Sequence, residues 1–75
     1  MERILFVEDS KTFANLFTNR LERALDCQIT WAQDYAEAQN ILDQGNANFD
    51  LALLDLNLPD APSGEIVDLV VDRDI

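Results

Sequence analysis

Three short apolar runs alternate along the chain with stretches in which apolar residues recur every three or four positions. The apolar runs predict β-strands at 3–7, 28–32 and 49–55. The helical periodicity predicts α-helices at 11–25, at 35–44, and over a shorter stretch that ends near residue 71. The order of elements is therefore β-α-β-α-β-α.

Residues at the ends of the predicted helices support these limits. Ser10 and Asp34 stand where N-cap residues are expected, and Ser63 is placed to cap the last helix. Gly45 stands at the C′ position of the second helix, where a left-handed residue commonly ends a helix.

Strict alternation of strands and helices predicts an α/β domain with a parallel sheet. Strand 28–32 alternates in polarity, as an edge strand does, whereas strand 49–55 is apolar on both faces, as in a central strand. We place strand 3–7 in the middle, which gives the spatial order 2-1-3. Right-handed crossovers then put the first helix on the opposite face of the sheet from the second.

Acidic residues follow two of these strands. Glu8 and Asp9 end the first strand, and Asp55 ends the third. Open α/β sheets bind ligands at the carboxyl ends of their strands, so three carboxylates meeting there would form a hard-cation site, with Asp55 available as an acyl-phosphate nucleophile. The simpler alternatives are that Glu8 and Asp9 cap the first helix and that Asp55 forms a turn.

Composition narrows the possible partners. The 75 residues carry a net charge of −10, which argues against binding to nucleic acid or to an anionic membrane. This charge favours divalent cations or basic protein surfaces, although solubility alone accounts for most of the acids. At 48% hydrophobic residues the chain is globular, but a chain of this size buries only about 60% of its unfolded surface and is marginally stable.

Several residue types are rare or missing. Cys27 is the only cysteine, so no intrachain disulfide forms, and we expect a reducing, cytoplasmic setting. We expect no membrane span, because no apolar stretch approaches the ~20 residues that a bilayer requires, and no signal peptide. The chain has no histidine, the common base at neutral pH.

Two segments together resemble the receiver domain of two-component response regulators. They are Ile4-Leu5-Phe6-Val7-Glu8-Asp9-Ser10 and Leu53-Leu54-Asp55-Leu56-Asn57-Leu58-Pro59. The resemblance covers residues 1–75 and implies a flavodoxin-like receiver fold. The chain matches the first three of that family's five βα units, so we expect a partial domain without strands four and five.

The resemblance implies a role for each residue that matches the motif. Asp55 resembles the phosphoacceptor, Asp9 a direct Mg²⁺ ligand, and Glu8 an acid that acts on Mg²⁺ through water. The backbone carbonyl of Asn57 resembles the third protein ligand. Such a module is not an enzyme; it implies Mg²⁺ as cofactor and a histidine kinase or phosphotransfer protein as partner.

The chain departs from the family pattern in two respects. Gly64 lies one residue later after Asp55 than the family's glycine does, as if the loop held an insertion. The switch Ser/Thr and the phosphate-pairing lysine of the family lie on strands four and five, and Lys11, the only lysine, matches neither. The alternative is therefore a receiver-like interaction module that is not phosphorylated.

Two enzyme classes fit less well. A haloacid-dehalogenase phosphatase needs a second Asp two residues after the nucleophile, where this chain has Asn57. A nucleoside triphosphatase needs a glycine-rich phosphate loop, and the only glycines are Gly45 and Gly64.

The order 2-1-3 places the third strand at an edge of the sheet. An apolar edge strand with unpaired backbone groups invites another chain, so we expect self-association through this edge. A two-fold axis perpendicular to the sheet would give a six-stranded sheet, 2-1-3-3′-1′-2′. The first helix should also leave apolar surface exposed.

Overall fold

The computed structural model describes residues 1–45 and 48–75. It contains the six predicted elements: β1 (Glu2–Val7), α1 (Lys11–Ala24), β2 (Cys27–Ala32), α2 (Tyr35–Asp43), β3 (Leu51–Leu54) and α3 (Glu65–Val71). Within the described residues, no helix has both the length and the apolar character that crossing a membrane requires.

The three strands form one parallel sheet in the order β2-β1-β3, as predicted. The central strand β1 pairs along its whole length with β2, from Glu2 opposite Cys27 to Val7 opposite Ala32. Its other edge pairs with β3, which brings Val7 opposite Leu54. The fold is thus a flavodoxin-like arrangement limited to three βα units.

The two faces of β1 pack against different helices, because side chains alternate along a strand. On one face, Leu5 and Val7 are fully buried in the main core, to which α2 contributes Ala38 and Leu42 and α3 contributes Ile66, Leu69 and Val70. On the other face, Phe6 packs against Phe13 and Phe17 of α1, with ring centroids 6.5 and 5.0 Å away. The predicted placement of α1 and α2 on opposite faces is confirmed.

The apolar stripe of α1 is only partly covered. Phe13 is 49% exposed and Leu16 is 57% exposed. Ala14 is the helix's buried residue. The expectation that the first helix leaves apolar surface exposed is confirmed within the described residues.

The third strand is shorter and more exposed than the sequence predicted. It spans Leu51–Leu54 rather than 49–55, and Leu51 is 45% exposed. Asp50 lies outside the strand because both its backbone N–H and its carboxylate bond to the backbone of Arg3, at 2.8 Å each. Burial on both faces does not occur because β3 forms an edge of the sheet within the described residues.

The N-caps predicted for the first two helices are confirmed. The hydroxyl of Ser10 accepts a hydrogen bond from the Phe13 N–H at 3.3 Å. The carboxylate of Asp34 accepts one from the Glu37 N–H at 2.8 Å. Gly45 has φ +77°, the left-handed conformation expected just after α2.

The prediction that Ser63 caps the third helix is wrong. The N-cap is Gly64, whose φ of +79° lies in the left-handed region that glycine adopts at little cost. Ser63 instead donates its backbone N–H to the Glu65 carboxylate at 2.7 Å. A glycine-centred turn thus leads from the loop into α3.

A second aspartate also caps α2, and it comes from the loop that follows β3. The carboxylate of Asp60 accepts hydrogen bonds from the N–H groups of Tyr35 at 2.9 Å and Ala36 at 3.0 Å. In the same loop, Leu58 and Ala61 form an antiparallel bridge and are buried. The loop is thereby fastened both to the core and to the start of α2.

These hydrogen bonds, chiefly the one from Tyr35, lower the pKa of Asp60 even though burial opposes the shift. Its contribution to stability is therefore present above the unfolded-state pKa, near 4, and is lost as pH falls through the lower folded-state pKa. We expect Asp60→Asn to lower the thermal unfolding midpoint at pH 7 and to have little effect at the acid end of a pH series.

Two variants serve as controls for that series. Asp34→Ala should lower the free energy of unfolding by about 1 kcal/mol, the usual loss when an N-cap side chain is removed. Asp72→Asn removes a charge at the exposed C-cap of α3 and leaves the bonds of Asp60 and Asp34 to the N-terminus of α2 in place. If the difference in unfolding midpoint between the wild type and Asp60→Asn stays constant with pH, the Asp60 carboxylate does not stabilise α2 through its charge.

Candidate functional site

The parallel pairing of β1 with β3 brings three acids together at one edge of the sheet. Glu8 and Asp9 directly follow β1, and Asp55 directly follows β3. Because Val7 lies opposite Leu54, the residues after each strand are neighbours. One carboxylate oxygen from each acid lies within 4.8 Å of the other two.

Backbone hydrogen bonds extend the sheet as far as these acids. The Glu8 N–H donates to the Ala32 carbonyl at 3.0 Å, and the Asp55 N–H donates to the Val7 carbonyl at 2.9 Å. Glu8 and Asp55 are therefore held by the last backbone hydrogen bonds of the sheet, one on each side of β1. Glu8 and Asp55 are half-buried, and Asp9 is exposed.

Local hydrogen bonds orient two of the three carboxylates. Glu8 Oε2 accepts from the Ser10 N–H at 3.0 Å, just before α1 begins. Asp55 Oδ1 accepts from the Asn57 N–H at 2.9 Å. Each acid thus uses one oxygen to hold its own loop, as aspartates commonly do in turns.

The structure places Asn57 next to the cluster, in the exposed loop that follows Asp55. It contacts the cluster through its backbone N–H, which donates to Asp55, rather than through its carbonyl. The predicted ligand role of the Asn57 carbonyl stays a prediction.

The electrostatics of the cluster are unfavourable without a counter-ion. Burial raises the pKa of Glu8, while the hydrogen bond from the Ser10 N–H opposes that shift. The adjacent carboxylates of Asp9 and Asp55 raise the pKa of Glu8 further. The three groups repel one another, and a cation among them would remove that repulsion.

The donor set indicates which cations fit. All three ligand atoms are carboxylate oxygens, which hard cations such as Mg²⁺ and Ca²⁺ prefer. Mg²⁺ usually keeps several waters, so a partly exposed site with two or three protein oxygens is sufficient for it. The residues present therefore fit the predicted metal.

Sequence reasoning missed two residues that support this site. Trp31, assigned only as part of an edge strand, donates its indole N–H to the Glu8 carbonyl at 2.8 Å. Asp60 fastens the loop that carries Asn57 to α2. The available signals were a tryptophan close to a strand end and a Pro59-Asp60 turn, and neither identifies a partner by itself.

Comparison with known proteins gives two relevant matches. Over 57 residues, or 76% of the chain, the sequence is 39% identical to transcription factor SKN7 of Chaetomium thermophilum, of which it spans 7%. The structure resembles the non-phosphorylated HemR receiver domain of Leptospira biflexa, with a TM-score of 0.82 and 36% identity. A comparison with models of known protein families gave no match.

The second match covers 99% of this chain and 57% of the HemR receiver domain, so the chain spans a little over half of that relative's length. This structural match agrees with the flavodoxin-like receiver fold that the resemblance of the acidic segments implied. Because a receiver domain matches the chain from end to end at this level of identity, the chain belongs to the family of response-regulator receiver domains and corresponds to the N-terminal portion of that domain.

Proposed function

We propose that this chain is the phosphoacceptor portion of a response regulator, and that Asp55 receives a phosphoryl group from a histidine kinase or phosphotransfer protein. The observation that carries the proposal is the convergence of Glu8, Asp9 and Asp55 within 4.8 Å at the carboxyl ends of two parallel strands. The net charge of −10 supports a basic protein partner rather than nucleic acid.

The proposed chemistry is an in-line transfer to one oxygen of Asp55. Oδ1 is engaged by the Asn57 N–H, which leaves Oδ2 free to attack phosphorus. The new O–P bond forms as the P–N bond of a donor phosphohistidine breaks. The electron pair of the broken bond returns to the imidazole nitrogen, which takes a proton from water, and the product is an acyl phosphate.

Glu8, Asp9 and Asp55 would hold Mg²⁺, together with the predicted carbonyl of Asn57. When bound, the metal would neutralise part of the charge on the phosphoryl oxygens. Asp9 is exposed and suits a direct ligand. Glu8 is tied through Oε2 to the Ser10 N–H, which suits a role through water.

The alternative is a receiver-like interaction module without phosphorylation. The glycine-centred turn at Gly64 and the loop residue that precedes it favour this alternative, because they alter the loop after Asp55. Incorporation of phosphate at Asp55 discriminates between the two proposals.

We expect Mg²⁺ to bind weakly and to move the backbone NMR signals of Asp9 and Asp55 before the titration reaches tens of millimolar. Asp9→Asn should weaken binding by more than tenfold, since loss of an outer-shell partner alone commonly costs about 10–100-fold. Glu8→Gln should weaken it less, because the proposed contact of Glu8 passes through water.

In the metal-free chain, the same two variants should stabilise the fold. Removing one of three repelling charges should raise the unfolding midpoint by a few degrees, as surface-charge optimisation commonly stabilises by about 0.5–2 kcal/mol. Metal-free midpoints that fall in both variants, or Asp9 and Asp55 signals that never move, would contradict a metal site.

We expect Asp55 to be the residue that is phosphorylated when the chain is incubated with Mg²⁺ and a small phosphodonor. Labelling should be slow, because the 75 residues hold the acidic side of the site, and each missing charge-stabilising group commonly costs roughly 10²–10³-fold in rate. Intact-mass spectrometry should show one phosphoryl group on the wild type and none on Asp55→Asn. Asp68→Asn, on the exposed face of α3, is the matched control and should label like the wild type.

We further propose that the chain self-associates through the β3 edge. The Asp55 N–H donates inward to Val7, so the alternation of a strand points the N–H groups of Ala52 and Leu54 outward. On the opposite edge of the sheet one outward donor is capped, since the Ile29 N–H on β2 donates to Glu22 Oε2 at 3.2 Å. Among the described residues neither donor is capped, and such an edge beside an exposed apolar residue, Leu51, favours strand pairing.

Sedimentation at micromolar concentration should therefore show a dimer. Ala52→Pro removes an outward donor and should dissociate it, whereas Ala52→Val keeps the donor and should not. A stable monomer at all concentrations, or a dimer unaffected by the proline, would exclude the β3 edge as the interface.

A further inference from the structure

We propose that Trp31 is a positioning residue for the acidic site, an inference that rests on the proposed metal site. Its indole N–H donates to the backbone carbonyl of Glu8 at 2.8 Å. That carbonyl belongs to the peptide that joins Glu8 to Asp9, so the bond fixes the backbone between two of the three acids.

The sheet explains why the carbonyl of Glu8 needs this donor. In the parallel ladder, the N–H and carbonyl of a β1 residue bond to β2 residues on either side of its partner. The Glu8 N–H has its rung, to the Ala32 carbonyl at 3.0 Å. The matching donor for the Glu8 carbonyl would be the N–H of Asp34, but β2 ends at Ala32 and Asp34 is the N-cap of α2.

The indole N–H of Trp31 takes the place of the missing backbone donor. Trp31 lies opposite Phe6 in the register, two residues before Glu8 along β1. Side chains of paired residues share a face, so the indole lies on the α1 face of the sheet and reaches toward the end of β1. Glu8 is then bonded to β2 through both its backbone N–H and its carbonyl, although the strand itself has ended.

The rigidity matters because the acids repel one another. Charges that crowd together in the absence of metal move apart if their backbone allows it, and the metal must then bring them back. Outer-shell hydrogen bonds that hold ligands in place raise metal affinity for this reason. Trp31 should thus affect Mg²⁺ affinity without contacting the metal.

The test removes the indole N–H while keeping the shape of the side chain. The chain is made with 3-benzothienylalanine at position 31, in which sulfur replaces the N–H, and Trp31→Phe is made alongside it. Mg²⁺ alone is titrated, and its dissociation constant is read from the backbone NMR shifts of Asp9 and Asp55. We expect the dissociation constant of the analogue to rise about tenfold.

The control is Glu22→Met. It removes a carboxylate on α1 that accepts a hydrogen bond from the Ile29 N–H of β2, without touching Glu8. Its Mg²⁺ affinity should equal that of the wild type even if its unfolding midpoint falls. An unchanged affinity in the analogue, or an equal loss in Glu22→Met, would overturn the positioning role.

Failure of the proposed metal site is distinguishable from failure of this inference. If the wild type itself gives no response to Mg²⁺, the metal site fails before any substitution is made, and the inference about affinity falls with it. If the wild type responds and the analogue responds equally, the metal site stands and only the role of Trp31 is refuted.

Discussion

The structure depends on β1 being enclosed on all sides. Its residues Ile4, Leu5, Phe6 and Val7 are at most 5% exposed, because each edge pairs with a strand and each face is covered by helices. Burial on this scale contributes roughly 1.5–3 kcal/mol for each large side chain, which holds β1 firmly in the core. Glu8 and Asp9 follow it directly, so the core fixes where the backbone of these two acids begins.

The parts of the fold that sequence reasoning recovered are those with local signals. The run from Ile4 to Val7 has a length and apolar character typical of a buried strand. Ser10 and Asp34 cap helices through bonds to residues three positions later. The strand order followed from the contrast between the alternating second run and the apolar third. Convergence of the acids then followed, because parallel strands share a carboxyl edge.

The features that sequence reasoning missed depend on hydrogen-bond partners that are distant in sequence. Asp50 leaves β3 because it bonds to the backbone of Arg3, and Asp60 caps a helix that begins 25 residues earlier. The N-cap of α3 was misassigned because Ser63 has the better capping side chain, whereas the turn requires the left-handed backbone of Gly64. Trp31 shows the same limit, since its bond to Glu8 depends on where β2 ends.

The two edges of the sheet differ in a way that links assembly to the acidic site. On the β2 edge Glu22 caps one outward donor, the Ile29 N–H, whereas on the β3 edge the Ala52 and Leu54 N–H groups face outward. The β3 strand leads directly to Asp55. Any strand that pairs with β3 is therefore a neighbour of Asp55. A parallel partner brings its carboxyl end to the acids, where it can add groups to the site. An antiparallel partner, such as a second copy related by a two-fold axis, brings its amino end there and sends its own acids to the far side. The direction of the strand beside β3 thus determines whether pairing completes the site or only covers the edge.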